Sequence, residues 1–409
     1  MLITIIGILV LLGLAVLLSD NRKNINLRVV GAAFALQASI AVFVLYIPFG
    51  KGVLSSISNG VQVVIDFSKV GINFVFGGLA TTPSLGFVFA VQVLPVIIFI
   101  GSLTAVLYHL HIMQWVVKIF GGALRFVIGT SRVESLCASA NIFLGQTEAP
   151  LVIRPYISRL TNNQLFTVMV SGLASVSGAI LAGYALLGVN IEYLIAASFM
   201  AAPGGLLMAK IIRPDVGPLP EEHVELTDTT EDDEDRPANV IDAAALGAAE
   251  GLRLAANIGA MLIAFVALIA LLNGLVGGVA GLFGFDGITM NSILGWVFSP
   301  LMYLLGIPWD EAMAAGDLIG QKLVLNEFVA YASLHQVQDT LSPHTVMVVT
   351  FALCGFANLS SLGILLGGLG GLAPERRGDI SRMGMKAIAA GSLSNLMSAA
   401  LASMLVTVG

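Results

Sequence analysis

The 409-residue chain is 57% apolar and only 11% charged, with a mean hydropathy of +0.94. An average soluble domain carries about 25% charged residues, so this composition excludes an ordinary water-soluble enzyme or nucleic-acid-binding module. The net charge of −6 arises in one place, the run EEHVELTDTTEDDED at 221–235, which holds nine acids.

In chain order, windows 2–18, 29–48, 87–108, 164–188, 191–212, 255–280, 345–372 and 386–408 each approach or exceed the roughly 20 apolar residues that cross a hydrocarbon core. The first window has no basic stretch before Ile3, so it reads as a span rather than a cleavable signal. Basic clusters follow it (Arg22, Lys23, Arg28) and precede the last window (Arg376, Arg377, Arg382, Lys386). The positive-inside rule places both clusters in the cytoplasm. Both termini are then expected outside, with an even number of crossings, and eight fits. The acidic run is bounded by Pro214, Pro218, Pro220 and Pro237 and reads as a solvated cytoplasmic linker between two halves. Cys137 and Cys354 lie in apolar stretches, and the five histidines form no HxxxH or HExxH spacing, so no metal centre of that kind is expected.

A weak repeat crosses the linker. Residues 113–150 and 291–329 each begin with an apolar helix bearing a Trp (Trp115, Trp296). Each continues through a Gly break (Gly129, Gly306), an acid (Glu134, Glu311) and a second helix expected to end at Gly-Gln (Gly145-Gln146, Gly320-Gln321). A Glu-containing polar patch follows (Glu148, Glu327). Beyond them lie Gly172-Leu-Ala-Ser175-Val-Ser177 and Gly355-Phe-Ala-Asn358-Leu-Ser360-Ser361, both inside spans. Such polar, Gly-interrupted segments leave backbone groups that lipid cannot satisfy, so they must line a cavity or be buried in protein. Two of them in corresponding positions point to a transporter site near the membrane midplane. Residues 131–160 and 310–335 therefore read as re-entrant helical hairpins entering from opposite faces. The expected fold is an all-α polytopic membrane protein with about eight transmembrane helices and two hairpins in inverted repeats.

Three groups carry the candidate chemistry. In Gly145-Gln-Thr-Glu148-Ala-Pro150, Pro150 suits a first helical turn and Glu148 a positive helix end; the plainer reading is a helix-terminal Glu facing a loop. Glu327 lies five residues after Lys322, a poor spacing for an intrahelical pair, which favours a ligand-facing carboxylate. Asn358 and Ser361, three apart, are read as one helical face, with interhelical hydrogen bonding as the alternative. Carboxylates, amides and hydroxyls with no Arg fork or phosphate loop fit a neutral solute with several hydroxyls and an amide-like edge. A nucleoside has both.

The motifs Gly145-Gln-Thr-Glu-Ala-Pro, Val324-Leu-Asn-Glu-Phe-Val-Ala-Tyr331 and Cys354-Gly-Phe-Ala-Asn-Leu-Ser-Ser361 resemble the signatures of the concentrative nucleoside transporter family. That resemblance implies a sodium-coupled nucleoside symporter in a bacterial inner membrane, working as an elevator and assembled as a homotrimer. It implies that Gln146 and Thr147 hold the nucleobase with Glu148 nearby, and that Glu327, Asn358 and Ser361 hold the ribose. Ile180, Leu254 and Phe356 would pack around the solute. The implied sodium site uses Asn141 and Ser175 with backbone carbonyls at Leu144 and Val176. The corresponding division is 1–112 scaffold helices and an interfacial helix, 113–213 first repeat, 214–240 acidic linker, 241–290 scaffold helix and 291–409 second repeat. A proton-coupled member, or an elevator carrier for another small polar solute, is the alternative, and the partners expected are the nucleoside and the lipid bilayer, with no nucleic acid.

Overall fold

The computed structural model describes residues 2–81, 88–217, 237–285 and 287–406. The acidic run 221–235 lies outside the described residues, which are almost wholly helical and contain no strand.

Helices α1 (Leu2–Leu17), α2 (Leu27–Leu45), α3 (Pro48–Phe76) and α4 (Leu94–His109) lead to α5 (Ile112–Ile128). Gly129 ends α5 in the left-handed region at φ 85°, a conformation that glycine adopts without a Cβ penalty. The first hairpin follows: α6 (Arg132–Ala140), a turn, and a 3-10 helix (Ala149–Arg159). Ser131 and Glu134 form a reciprocal capping box at the start of α6. Next comes a broken span, α7 (Asn162–Ala174) and α8 (Gly178–Leu186), then α9 (Ile191–Ile212) and the 43-residue α10 (Val240–Leu282).

The second half repeats this order. Helix α11 (Met290–Leu304) is followed by Gly306, left-handed at φ 91°. The second hairpin is α12 (Trp309–Val324) and α13 (Glu327–Val337), the former bent 118° from α11. A second broken span, α14 (Pro343–Leu353) and α15 (Ser361–Gly367), precedes the last helix, α16 (Arg377–Val406). Among the described residues, six uninterrupted or nearly continuous helical segments are long and apolar enough to cross a membrane. The bent pair α11–α12 would make a seventh if it were one span, and α1, α14 and α15 are shorter apolar helices. The fold is the all-α polytopic architecture with two repeats, each a hairpin followed by a broken span.

Burial separates these helices into two shells. The apolar windows of 162–186, 191–212 and 374–406 are 89%, 94% and 78% buried, whereas those of 27–45, 89–109 and 240–282 are 22%, 17% and 11% buried. The first set forms the protein core, and the second presents apolar faces that only lipid or another protein can cover. Among the outer helices, α10 crosses α4 closely. Gly247 and Gly251 lie against Gly101 and Ile98, where an added Cβ would come within 2.7 Å of backbone atoms, the kind of small-residue contact membrane helices use.

The details of the repeat need correction. Helix α6 stops at Ala140, five residues before Gly145, while α12 runs on to Val324 past Gly320-Gln321. The two Gly-Gln pairs therefore occupy different places: one lies in a hairpin turn, the other inside a helix. Asn358 and Ser361 do not share a helical face either. Asn358 lies in the unwound stretch before α15, and its Oδ1 accepts from the Ser361 amide at 2.9 Å and the Ser360 hydroxyl at 2.7 Å.

Candidate functional site

Each hairpin closes on the break that follows it. At the first, the Gly178 amide donates to the Phe143 carbonyl at 3.0 Å. At the second, the Leu359 amide donates to the Leu323 carbonyl at 3.0 Å, and the Ser360 hydroxyl donates to the Leu325 carbonyl at 3.2 Å. The breaks also meet each other, with the Phe356 amide donating to the Ser175 carbonyl at 3.2 Å. Residues about 180 positions apart in sequence are thus brought to one place in the fold.

Asn395, from α16, locks this crossing. Its Nδ2 donates to the Ala174 carbonyl at 2.7 Å and the Cys354 carbonyl at 2.8 Å, the last groups before each break. Gly355 is pressed against the same side chain, and a Cβ there would sit 2.3 Å from Asn395 Oδ1. No residue larger than glycine fits without displacement.

On the second-repeat side, Glu327 opens α13 and is 4% exposed. The Tyr184 hydroxyl donates to its Oε1 at 3.0 Å and Asn358 Nδ2 donates to its Oε2 at 2.9 Å. An ionised carboxylate has about four lone-pair sites, so two protein donors leave acceptor capacity for hydroxyls of a solute. Lys322 takes no part in an ion pair with Glu327; its ammonium donates elsewhere, to the Ala352 carbonyl and Asn395 Oδ1, both at 2.8 Å. On the first-repeat side, Gln146 Nε2 reaches Ser361 Oγ at 3.5 Å, and its buried Oε1 finds no hydrogen-bond partner. Gln146, Asn358, Ser361 and Glu327 are therefore joined in one chain of polar contacts. Thr147 lies against Gly368, whose added Cβ would be 2.6 Å from the Thr147 methyl. Glu148 accepts from the Gly145 amide at 3.3 Å and precedes the 3-10 helix. Ile180 and Phe356 are buried, and Leu254 is partly buried against the same core.

The expected cation ligands also gather. Asn141 caps the C-terminal end of α6, and its Nδ2 donates to the Cys137 carbonyl at 3.0 Å. Its Oδ1, in a residue 1% exposed, has no hydrogen-bond partner. This oxygen faces the last turn of α7, 3.7 Å from a Cβ built on Gly172. Ser175, Leu144 and Val176 are all buried, and the Gly178–Phe143 hydrogen bond ties the two segments that carry them. An orphaned amide oxygen, a hydroxyl and helix-end carbonyls make a hard, oxygen-only donor set that fits sodium.

Tyr184 and Asn395 had escaped sequence reasoning. Tyr184 is the one polar side chain of α8, and Asn395 is one of several along α16; such residues point to a function or an interhelical bond but name no partner. A separate cavity of about 470 Å³, lined by Lys118, Gly121, Arg125, Arg132 and others, lies between α5 and α6 and contains none of the expected site residues.

Comparison with known proteins matches residues 193–403 to "Na+ dependent nucleoside transporter C-terminus", 6–79 to the corresponding N-terminus and 90–191 to "Nucleoside recognition". The chain is 51% identical over 414 residues to an uncharacterized transporter of Haemophilus influenzae, covering 99% of this chain and 98% of that one. It is 45% identical over 415 residues to the nucleoside permease NupC of Helicobacter pylori, covering 99% and 98%. The solved structure of CNTnw in an inward-facing, substrate-bound state superposes with a TM-score of 0.95 at 50% identity, covering 100% of this chain and 98% of that one.

Proposed function

Because the chain belongs to the Na+ dependent nucleoside transporter family, we propose that it is a nucleoside symporter that takes up solutes such as uridine together with sodium. The observation that carries this reading is the meeting of two hairpins and two helix breaks at one polar cluster. Gln146 and Thr147 would read the base, with Glu148 at the edge of that subsite. Glu327, Asn358 and Ser361 would hold the ribose hydroxyls, while Ile180, Leu254 and Phe356 exclude water around them. Sodium at Asn141, Ser175 and the carbonyls of Leu144 and Val176 would join the first hairpin to its break. That contact preorganises Gln146, whose Cβ already lies 2.9 Å from a Cβ built on Gly172. Broken helices and paired hairpins suit an alternating-access elevator. The homotrimer, the bacterial inner membrane and the outside placement of both termini belong to the same reading.

A carrier of anionic solutes would need a free cation at the site. Lys322 is the nearest candidate, and its ammonium is already engaged by Ala352 and Asn395. Uptake of labelled uridine into proteoliposomes, with sodium, proton or no gradient, tests the proposal. Uptake driven by sodium supports it. Uptake driven only by protons replaces sodium by a proton, and no uptake of any nucleoside overturns the substrate class.

A further inference from the structure

Two lysines among the described residues are buried, and they are held differently. Lys210 meets Glu134 at 2.6 Å and Asp215 at 2.7 Å. Lys322, 2% exposed, forms no salt bridge among the described residues; its direct partners are the Ala352 carbonyl and Asn395 Oδ1. An ammonium at membrane depth without a carboxylate in hydrogen-bond contact is costly; the Glu327 carboxylate attracts it from further off, and its direct contacts favour positive charge in another way.

They do so through helix ends. Ala352 lies in the last turn of α14, where carbonyls lack intrahelical donors and the helix dipole is negative. Asn395 extends the same service to the Ala174 carbonyl, at the negative end of α7. Lys322 itself projects from the last turn of α12. In the second repeat, then, the C-terminal end of a hairpin arm meets the C-terminal end of the next half-helix, with a cation between them. The first repeat has the same meeting, α6 against α7, but there the group at the junction is Asn141 with an unpartnered Oδ1.

We propose that Lys322 is a tethered cation, serving the second break as a mobile sodium serves the first. Its ammonium fixes the path from Ala352 to Asn358 and so positions the ribose subsite, and each protomer then needs a single exchangeable sodium. The sodium count rests on the coupling proposed above, whereas the positioning role of the lysine does not.

The test uses Lys322→Ala, which leaves a hole the size of n-propylammonium, and reads uridine affinity by calorimetry on the purified transporter. The variant is expected to bind uridine roughly tenfold or more weakly, as loss of charge-assisted hydrogen bonds requires. Millimolar n-propylammonium should restore most of that affinity, while 1-propanol and choline at equal concentration should not. In the wild type, the slope of log affinity against log sodium concentration should be close to one, and in Lys322→Ala it should rise towards two as sodium enters the vacated position. Equal rescue by 1-propanol shows that volume alone matters and overturns the proposal, as does unchanged uridine affinity in Lys322→Ala. A wild-type slope of two overturns it as well, and that measurement decides the matter if the variant does not yield folded protein. Sodium-independent affinity in the wild type refutes sodium coupling instead, and charge-selective rescue by propylammonium would still establish the role of Lys322.

Discussion

At Glu327, the Tyr184 hydroxyl and the Asn358 amide donate to a buried carboxylate that has further acceptor capacity. Hydrogen bonds to charged groups contribute about 1.5–3 kcal/mol each, so Glu327→Gln is expected to weaken uridine binding by roughly tenfold or more. 2′,3′-Dideoxyuridine should bind the wild type poorly and lose little further in the variant. Calorimetry on protein of unchanged melting temperature checks this, and full uridine affinity in Glu327→Gln would make the carboxylate purely structural. Tyr184→Phe removes one donor to the same group and should cost about 1 kcal/mol or somewhat more, a smaller effect than that of Glu327→Gln in the same titration. Asn141→Ala and Ser175→Ala act on the other subsite. Both should raise the sodium concentration for half-maximal uptake more than they weaken uridine binding at saturating sodium. By linkage, sodium and nucleoside must tighten each other's binding by the same factor. If the variants lose affinity equally at every sodium concentration, these two residues are not cation ligands.

At the scale of elements, the breaks in α7–α8 and α14–α15 are what bring the site together, and Gly355 shows why they persist. Its Cα lies against Asn395, which satisfies the carbonyls freed at both breaks. Gly355→Ala forces an extra methyl into that contact, at a cost of about 1–3 kcal/mol. The expected outcome is a lower melting temperature together with weaker uridine binding, since the same contact holds Phe356 and Asn358. An alanine variant that melts and binds like wild type would show that the crossing relaxes freely. The repeat was legible at this scale through Gly129 and Gly306, which do end α5 and α11 in left-handed conformation. The Gly-Gln match misled because it paired a hairpin turn with a helix interior. A Gly-Gln pair does not by itself mark where a helix stops.

For the whole molecule, the arrangement in two shells argues that the core of 162–212 and 374–406 is wrapped by apolar helices facing lipid or a neighbouring protein. Both basic loops meet on one side of this body. Asp20, in the first loop, pairs with Arg213 at 3.1 Å and also with Lys386 of α16, and Arg28 approaches Gly129 at the end of α5. Under the positive-inside rule that side is cytoplasmic. Reporter fusions at residues 24 and 378 are expected to read cytoplasmic, and a periplasmic signal at either would reverse the proposed placement of the termini.

The sequence by itself determined the solvent and the periodic plan. Low charge and long apolar windows permit only a membrane body, and polar interruptions at lipid depth require paired, buried breaks. The motifs at 145–150, 324–331 and 354–361 also sufficed to nominate Glu327, Gln146 and Asn358, because polar groups at such depth have few other uses, whereas Asn141 was implied by the family resemblance alone. What only the tertiary structure decided is which of these groups face each other and which are already spoken for. Tyr184 and Asn395 lie outside the motifs, and the spacing that made Lys322 a poor partner for Glu327 left its own contacts unassigned. Their roles follow from distances between segments 30 to more than 200 residues apart. Such hydrogen bonds depend on how half-helix ends converge in space, and no local spacing in the chain encodes that convergence.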